Sequence, residues 1–467
     1  MPERGRGSLL IRSGHVATMD DELGELPGGF VTVRDGAIGE VGPGSRCPEP
    51  GSFDRTVDAS GCVVMPGLVN THQHCWYTLF RGLGEGLALE AWLERMLFPL
   101  SRRMAAADLV LATRLGCLEM LATGTTCAFE HSVISTDTET TLAVARAARD
   151  VGVRMVIGKE LRADLPSSLE DAGAILADGG AHAGLVIETA QHWLARGATT
   201  DGLIVAGAEL ARRHGVPVSD HVATGSRQGY SRQVAAAGMT DVGVLQRLEV
   251  LDEHWLLVHG IWLDDADGEL IAASGATVVD TPTSHAARAG GVTPCARLHV
   301  QGARLALGTD GPMVDASVDM LEQAKSFLGE QRQSTLDASA FDARSALRMA
   351  TIHAARAVGL DHEIGSLAAG KRADIAIFDL SGPHIGVVHD PLVSLVGAGR
   401  GADARWVLVE GRALVDDGQL LTGDDLREIR DEARSRAERH AGAVGLPLPA
   451  ALGGSAPPAS GRRPGQV

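Results

Sequence analysis

Aromatic side chains are scarce in this chain: eight Phe, six Trp and two Tyr make up 3% of 467 residues. A ring placed beside a polar cluster therefore carries weight. Cysteine is sparse too. Cys47, Cys62, Cys75, Cys117, Cys127 and Cys295 are scattered, with no C-x-x-C pair. That argues against a disulfide framework or a zinc knuckle and fits a reducing cytoplasm. No apolar run reaches the roughly 18–20 residues of a spanning helix. The N-terminus, MPERGRGSLLIRSG, has charge but no long apolar stretch before a cleavage site, so no signal peptide is expected and the expected location is cytoplasmic. Basic residues are outnumbered: 42 Lys and Arg against 59 Asp and Glu leave a formal charge of -17. Such a field disfavours non-specific contact with nucleic acid or an anionic membrane. A local pocket can still oppose it and accept an anionic substrate.

The chain is 45% hydrophobic and 22% charged, an ordinary globular composition that excludes a largely disordered protein. Residues 8–66 read as short strands. SLLIRSGHVATM, GFVTVRDGAIGEVG and TVDASGCVVMPG alternate apolar runs with turns such as Arg34-Asp35-Gly36. From residue 67 the style changes. Eight β-rich runs follow: CVVMPGLVNTH, TTCAFEH, RMVIGKE, GLVIETA, VPVSDH, WLLVHG, TVVDTP and RLALGTD. Between them lie segments of helical period, such as LALEAWLERML and GLIVAGAELARRHG, several closed by Gly. Eight strand–helix units predict an α/β fold with a (β/α)8 TIM-like barrel. Near-continuous apolar strands suit a sheet covered on both faces.

After ARSALRMATIHAARAVGL the short-strand style returns, in GSLAAGKRADIAIFDL and ARWVLVEGRALVDDG. The expected organisation is a composite β-sandwich from residues 1–66 and 360–425, with a barrel over 67–359 inserted between its halves. A C-terminal helix and a mobile Pro/Gly/Ser-rich tail occupy 426–467. The helix, DDLREIRDEARSRAERHAG, offers a charged face to a second copy, so a homo-oligomer is expected.

His72-Gln73-His74 follows the first barrel run. On a strand, residues i and i+2 share a face, so both imidazoles converge at the barrel mouth. His221, His259 and Asp310 close three later runs. Taken singly, each has a plainer explanation: a strand-end His hydrogen-bonds or packs, and an Asp in GTDG caps a turn. Taken together, five metal-competent groups at the strand ends where barrel enzymes keep their sites are hard to obtain by packing alone. Zinc or iron accepts imidazole nitrogens and a carboxylate, and a catalytic site leaves a position for water.

With these residues in place, the chain resembles the amidohydrolase superfamily. The resemblance is to the branch of atrazine chlorohydrolase and of cytosine and guanine deaminases. PGLVNTHQH resembles its first-strand motif, His221, His259 and GTDG match later positions in order, and GSLAAGKRADIAIFD resembles its return into the β module. The similarity spans residues 8–415. It implies one divalent metal per chain, zinc or iron(II), held by His72, His74, His221 and Asp310. It also implies that His259 contacts the attacking water or the substrate and that Asp310 receives the water's proton.

Two departures matter. Deaminases of this group carry His-x-x-Glu after the fifth strand, and here the segment is His221-Val222-Ala223-Thr224. A threonine hydroxyl donates a hydrogen bond but does not cycle a proton near neutral pH. Three explanations compete: another acid, such as Glu130, Glu160 or Asp220, enters the site; the leaving group is chloride and needs no proton; or hydrolysis is lost. Second, binuclear relatives bridge two metals with a carbamylated Lys on the fourth strand. GLVIETAQHW has none, although Lys159 ends the third.

Around the mouth, Trp76, Glu130, Thr224 and His285 are the expected substrate contacts, and Trp193 and Trp262 also follow strand ends. An apolar, aromatic-lined cleft with few polar anchors suits a small planar ring. The expected activity is metal-dependent hydrolysis, with water attacking a heteroaromatic or amidine-like carbon to break a C–N or a C–Cl bond. The missing Glu favours the latter. The alternatives are a non-catalytic metal-binding pseudoenzyme and a metal-dependent lyase or decarboxylase.

Overall fold

The structure, a computed structural model, describes residues 7–134, 137–165, 167–177, 182–189 and 199–446. The tail beyond residue 446 and the first six residues lie outside the described residues. Among the described residues no helix is long and apolar enough to cross a membrane.

Eight parallel strands form the barrel: Leu68–Gln73, Thr125–Ser132, Arg154–Glu160, His182–Val186, Val218–Val222, Trp255–His259, Thr277–Asp280 and Arg304–Leu307. All eight correspond to the runs read from sequence. The ring is drawn together where the first strand meets the segment after the eighth. His74 N donates to Asp310 O at 2.9 Å, and Asp310 N donates to His72 O at 3.0 Å. Asn70 fastens the same seam. Its Oδ1 accepts from Thr309 N at 3.1 Å, and its Nδ2 donates to Thr309 Oγ1 at 2.8 Å. Gly308 permits the approach, since a Cβ there would stand 2.9 Å from His72 Cβ.

The two chain ends build the second unit. Strands Ser8–Ala17, Glu25–Arg34, Ala37–Gly42, Arg55–Asp58 and Cys62–Pro66 join Ile375–Asp379, Ala404–Val409, Arg412–Asp416 and Gln419–Leu420 in one nine-stranded sheet. The seam between the halves is Cys62–Pro66 antiparallel to Ile375–Asp379. Alternation along these strands divides their side chains between two cores. Val64, Ile375 and Ile377 enter the module's own small core, whereas Val63, Met65, Ala376 and Phe378 enter the large core shared with the barrel helices.

One reading from sequence changes here. CVVMPGLVNTH is two strands in two sheets, not one. Gly67 is the break: a side chain there would collide with Thr126 on the neighbouring barrel strand.

The C-terminal helix, Leu426–Ala443, docks on its own chain. Ala433, Ala437 and Ala441 are buried, while Arg436 and His440 reach Asp108 at 3.0 and 3.1 Å.

Candidate metal centre and active-site cavity

The first barrel strand ends in extended backbone that continues through His74 (φ -122°, ψ 98°), so His72 and His74 point the same way. His221 sits near the end of the fifth strand, His259 ends the sixth, and Asp310 lies three residues past the eighth. His259 and Asp310 hold left-handed backbone, φ 72° and 65°, as does Ala223 between His221 and Thr224. Such conformations cost non-glycine residues about 1–3 kcal/mol and concentrate at functional sites.

The fold brings the donor atoms to one point. His72 Nε2 is 3.3 Å from His221 Nε2 and 3.8 Å from Asp310 Oδ1, and His74 Nε2 is 3.6 Å from the same oxygen. Ligands around a tetrahedral ion at about 2.1 Å stand roughly 3.4 Å apart. Two imidazole nitrogens facing each other would repel through their lone pairs, whereas a cation between them turns the repulsion into coordination. His72, His74 and His221 therefore fit a divalent metal. Burial and the surrounding imidazoles push His72 and His74 down, the latter to about 3, so both offer neutral nitrogens.

Other groups fix the rings. His74 Nδ1 bonds His131 O at 2.8 Å, which turns Nε2 inward. His221 Nδ1 lies 2.7 Å from Glu188 Oε1, and His131 Nε2 lies 2.8 Å from the same oxygen. His131 is anchored in turn by Ser219 Oγ, 2.9 Å from its Nδ1. Burial pushes Glu188 up, but His221 and His131 outweigh it and hold the carboxyl below its usual range. Glu188 is thus an anionic acceptor behind a candidate ligand, an arrangement that sets the tautomer and raises the basicity of the imidazole. Glu188→Gln is expected to weaken metal affinity about 10–100-fold. Competition with a chelator of known affinity measures it, and unchanged affinity would count against this role.

Glu188 was missed in the sequence reading. It closes the apolar run GLVIE as His221 closes VPVSDH, so the signal was of the same kind, a charged residue after an apolar strand. Asn70 carried no such signal.

Asp310 Oδ2 accepts from Ser284 Oγ at 2.6 Å, leaving Oδ1 toward the imidazoles. Burial raises its pKa, but His259, His74 and the Ser284 bond prevail and hold the carboxylate low.

A cavity opens in front of these groups. His74, His221, His259, Asp310, Thr224, Ser284 and His285 line its floor and sides. Tyr77, Trp92, Leu93, Leu97, Val133, Ile261 and Val314 give it an apolar wall, with Tyr77 and Trp92 edge to face at 5.6 Å. Glu90 stands at the rim, accepting from Ser226 N at 3.1 Å. Arg288 closes another side, donating to Gly84 O and Met313 O and lying over Trp92.

Thr224 and His285 therefore stand where the sequence suggested, whereas two other expected contacts do not. Trp76 is 2% exposed and packs on Tyr77 and Phe80 away from the cavity, because residues 75–80 coil into a 3-10 helix instead of an open loop. Tyr77 faces the cavity in its place. Glu130 is buried beneath that helix, where it accepts from Cys75 N at 2.8 Å, and burial pushes it up to about 7. Glu160 and Asp220, the other acids considered, do not line the cavity either. Asp220 bonds Thr189, and Glu160 lies 3.9 Å from Arg162. Lys159 is buried with Asp171, Glu160 and Asp137 acting on its charge, and it is not among the residues lining the cavity. Trp193 lies outside the described residues.

Known proteins resemble this chain over most of its length. The profile of the amidohydrolase family matches residues 63–414. A 5-methylthioadenosine/S-adenosylhomocysteine deaminase of Syntrophobacter fumaroxidans is 33% identical over 89% of this chain and 95% of its own. A 5'-deoxyadenosine deaminase of Methanosarcina acetivorans is 32% identical over 92% and 98%. Among solved structures, a zinc-bound adenosine deaminase of Xanthomonas campestris superposes with a TM-score of 0.85 at 27% identity, covering 93% of this chain and 98% of its own. Atrazine chlorohydrolase TrzN of Arthrobacter aurescens TC1, complexed with zinc, gives 0.82 at 22% identity over 92% and 100%, a likeness of fold.

Proposed function

This chain belongs to the amidohydrolase family and is a metal-dependent hydrolase, and on that premise we propose that it deaminates an amino-substituted nitrogen heterocycle carried on a small, nucleoside-like body. The observation that carries the reading is the three-imidazole, one-carboxylate cluster at the floor of an apolar cavity, in a chain whose near-full-length relatives are named as deaminases.

His72, His74, His221 and Asp310 would hold one zinc or iron(II) ion per chain, and such an ion would supply water polarised for attack at neutral pH. Asp310 takes the proton that the attacking water gives up. Its Oδ1 faces the imidazoles, and its Oδ2 is held by Ser284, so the acceptor oxygen is fixed before substrate arrives. His259, across from Asp310, steadies the addition product. Tyr77 and Trp92 flank a planar ring, and the leucine and valine wall excludes water from it. Glu90 at the rim offers a carboxylate to the hydroxyls of a sugar-like body.

Thr224 supports a second reading, hydrolytic dechlorination, because chloride departs without a proton. One assay separates the two. The zinc-loaded protein is offered 5'-deoxyadenosine, 5'-methylthioadenosine, S-adenosylhomocysteine, adenosine and a chlorotriazine, with ammonia and chloride both measured. The expected result is one ammonia per purine converted, at a kcat/KM of about 10⁴ M⁻¹s⁻¹ or more for the best substrate. Chloride release with no ammonia from any amine would overturn deamination in favour of the second reading.

A further inference from the structure

A second cavity opens at the other end of the barrel, away from the strand ends that carry the imidazoles. Thr277 and Arg304 begin the seventh and eighth strands, and both line it. Most of its remaining wall comes from three short helices, Cys295–Gln301, Ala343–Met349 and Ile352–Ala357. Its volume is about 390 Å³, within the range of small-molecule sites. Arg304, Arg348 and Arg356 line it together with His299 and His353. Among the described residues no Asp or Glu does. In a chain of net charge -17, such a concentration of basic side chains calls for a reason.

Helix dipoles supply part of one. His299, Arg348 and Arg356 stand in the last turns of their helices, where a cation is favoured. That argument does not reach Arg304, which is on a strand, and it does not explain why side chains from three helices and a strand meet at one hollow. Ion pairs supply another part. Arg348 Nη2 lies 2.8 Å from Asp21 Oδ1, and Arg356 Nε lies 3.3 Å from Asp361 Oδ2. A guanidinium carries five N–H donors, so each pair leaves donors over. Arg304 is exposed and has no carboxylate partner among the described residues. His353 is half-buried and hydrogen-bonds no described residue. Burial, with Arg348 and Arg356 close by, pushes it down to about 4, so it is a neutral ring with one N–H to give. Phe341 adds an apolar surface, its ring centroid 5.4 Å from that of His299.

We propose that this cavity binds the phosphate group of a small molecule, with Arg304, Arg348 and Arg356 as its cationic donors and Phe341 beside the body that carries the phosphate. Guanidinium forks match the oxygens of phosphate and carboxylate alike. Three of them around one hollow suit the group with three terminal oxygens and up to two charges. His353 adds a neutral donor to the same group. The local field here opposes that of the whole chain, so an anion that the acidic surface repels finds one place to settle. The site is separate from the metal chemistry, because the whole eighth strand, Arg304–Leu307, lies between Arg304 and the end that carries Asp310.

Isothermal titration of the full-length protein with two probes, phenyl phosphate and inorganic phosphate, tests the site at physiological ionic strength. At least one should bind with a Kd of about 1 mM or tighter. Phenyl phosphate bound about tenfold more tightly than inorganic phosphate identifies a phosphate monoester as the ligand. Inorganic phosphate bound as tightly as the ester, or more so, identifies free phosphate. Arg304→Glu assigns the binding to this cavity. The position is exposed, so the fold should tolerate the change, and affinity should fall at least about tenfold. Arg304→Lys, which keeps the charge without the fork, should retain part of the affinity. Arg439→Glu makes the same charge reversal on the exposed face of the C-terminal helix and should leave binding within about twofold of wild type. Should Arg304→Glu fold poorly, Arg304→Gln takes its place with the same expectation. Failure of both probes to bind by about 10 mM overturns the site. So does binding that Arg304→Glu leaves unchanged, which would put the anion at the metal centre or elsewhere on the surface. An equal loss in Arg439→Glu also overturns it, because general repulsion by an acidic protein would then account for the effect.

Discussion

Asp310→Asn lowers kcat by about 10²–10⁴-fold, the usual contribution of a positioned general base. An amide oxygen still fills the coordination position but takes no proton, so the loss should appear in kcat with zinc retained at weakened affinity. The geometry makes the effect large. Asp310 is fixed by two backbone bonds to the first strand, by Ser284 on Oδ2, and by a left-handed backbone that few residues adopt. No other carboxylate among the described residues lines the cavity except Glu90, which is engaged with Ser226 at the rim. Steady-state kinetics with elemental analysis of the same preparation checks the expectation. Turnover close to wild type would remove Asp310 from the base role.

His72→Ala is the second large effect. His72 is fully buried, with the rings of His74, His131 and His221 within 4.9–5.0 Å and that of His259 at 5.8 Å. Wild type purified without added metal should carry about one zinc or iron per chain. The variant should carry almost none and lose about 10³–10⁴-fold in kcat/KM, since a bound ion contributes several kcal/mol to the barrier. Retention of both metal and full activity would dismantle the proposed centre. Two metals per wild-type chain would contradict a mononuclear site and direct attention to Glu188 and His131, which stand next to His221.

Barrel strands and the residues that cluster at the candidate metal centre were legible in the sequence for one physical reason. A parallel strand buried on both faces is an apolar run, and a polar residue at its C-terminal end has few places to go except the mouth. That logic yielded His72, His74, His221, His259 and Asp310, and applied evenly it would have yielded Glu188. It fails where the chain leaves the strand. Whether residues 75–80 spread as a loop or coil as a 3-10 helix depends on what packs beneath them, and that choice buried Trp76 and turned Tyr77 toward the cavity. Glu130 was misplaced for the same reason, because its partner is the backbone of Cys75 in that coil. Gly67 shows another limit. Hydrophobic period cannot reveal that a chain changes sheets within one apolar run, nor that Gly67 at the change lies against Thr126 on a neighbouring strand.

The seam that joins the two chain ends also sets an order of assembly. Strand Cys62–Pro66 pairs on one edge with Ser8–Ala17, but its other edge has no partner until the chain has been made as far as Asp379. Closing so long a loop is entropically dear and slow, and local contacts form first. A chain emerging from the ribosome thus completes the barrel strands while the hydrophobic edge of Val63, Val64 and Met65 is still waiting. Arrest at that stage presents an open strand to other copies, and an exposed apolar edge is a template for aggregation. The return segment Ile375–Asp379 is the strand that seals it.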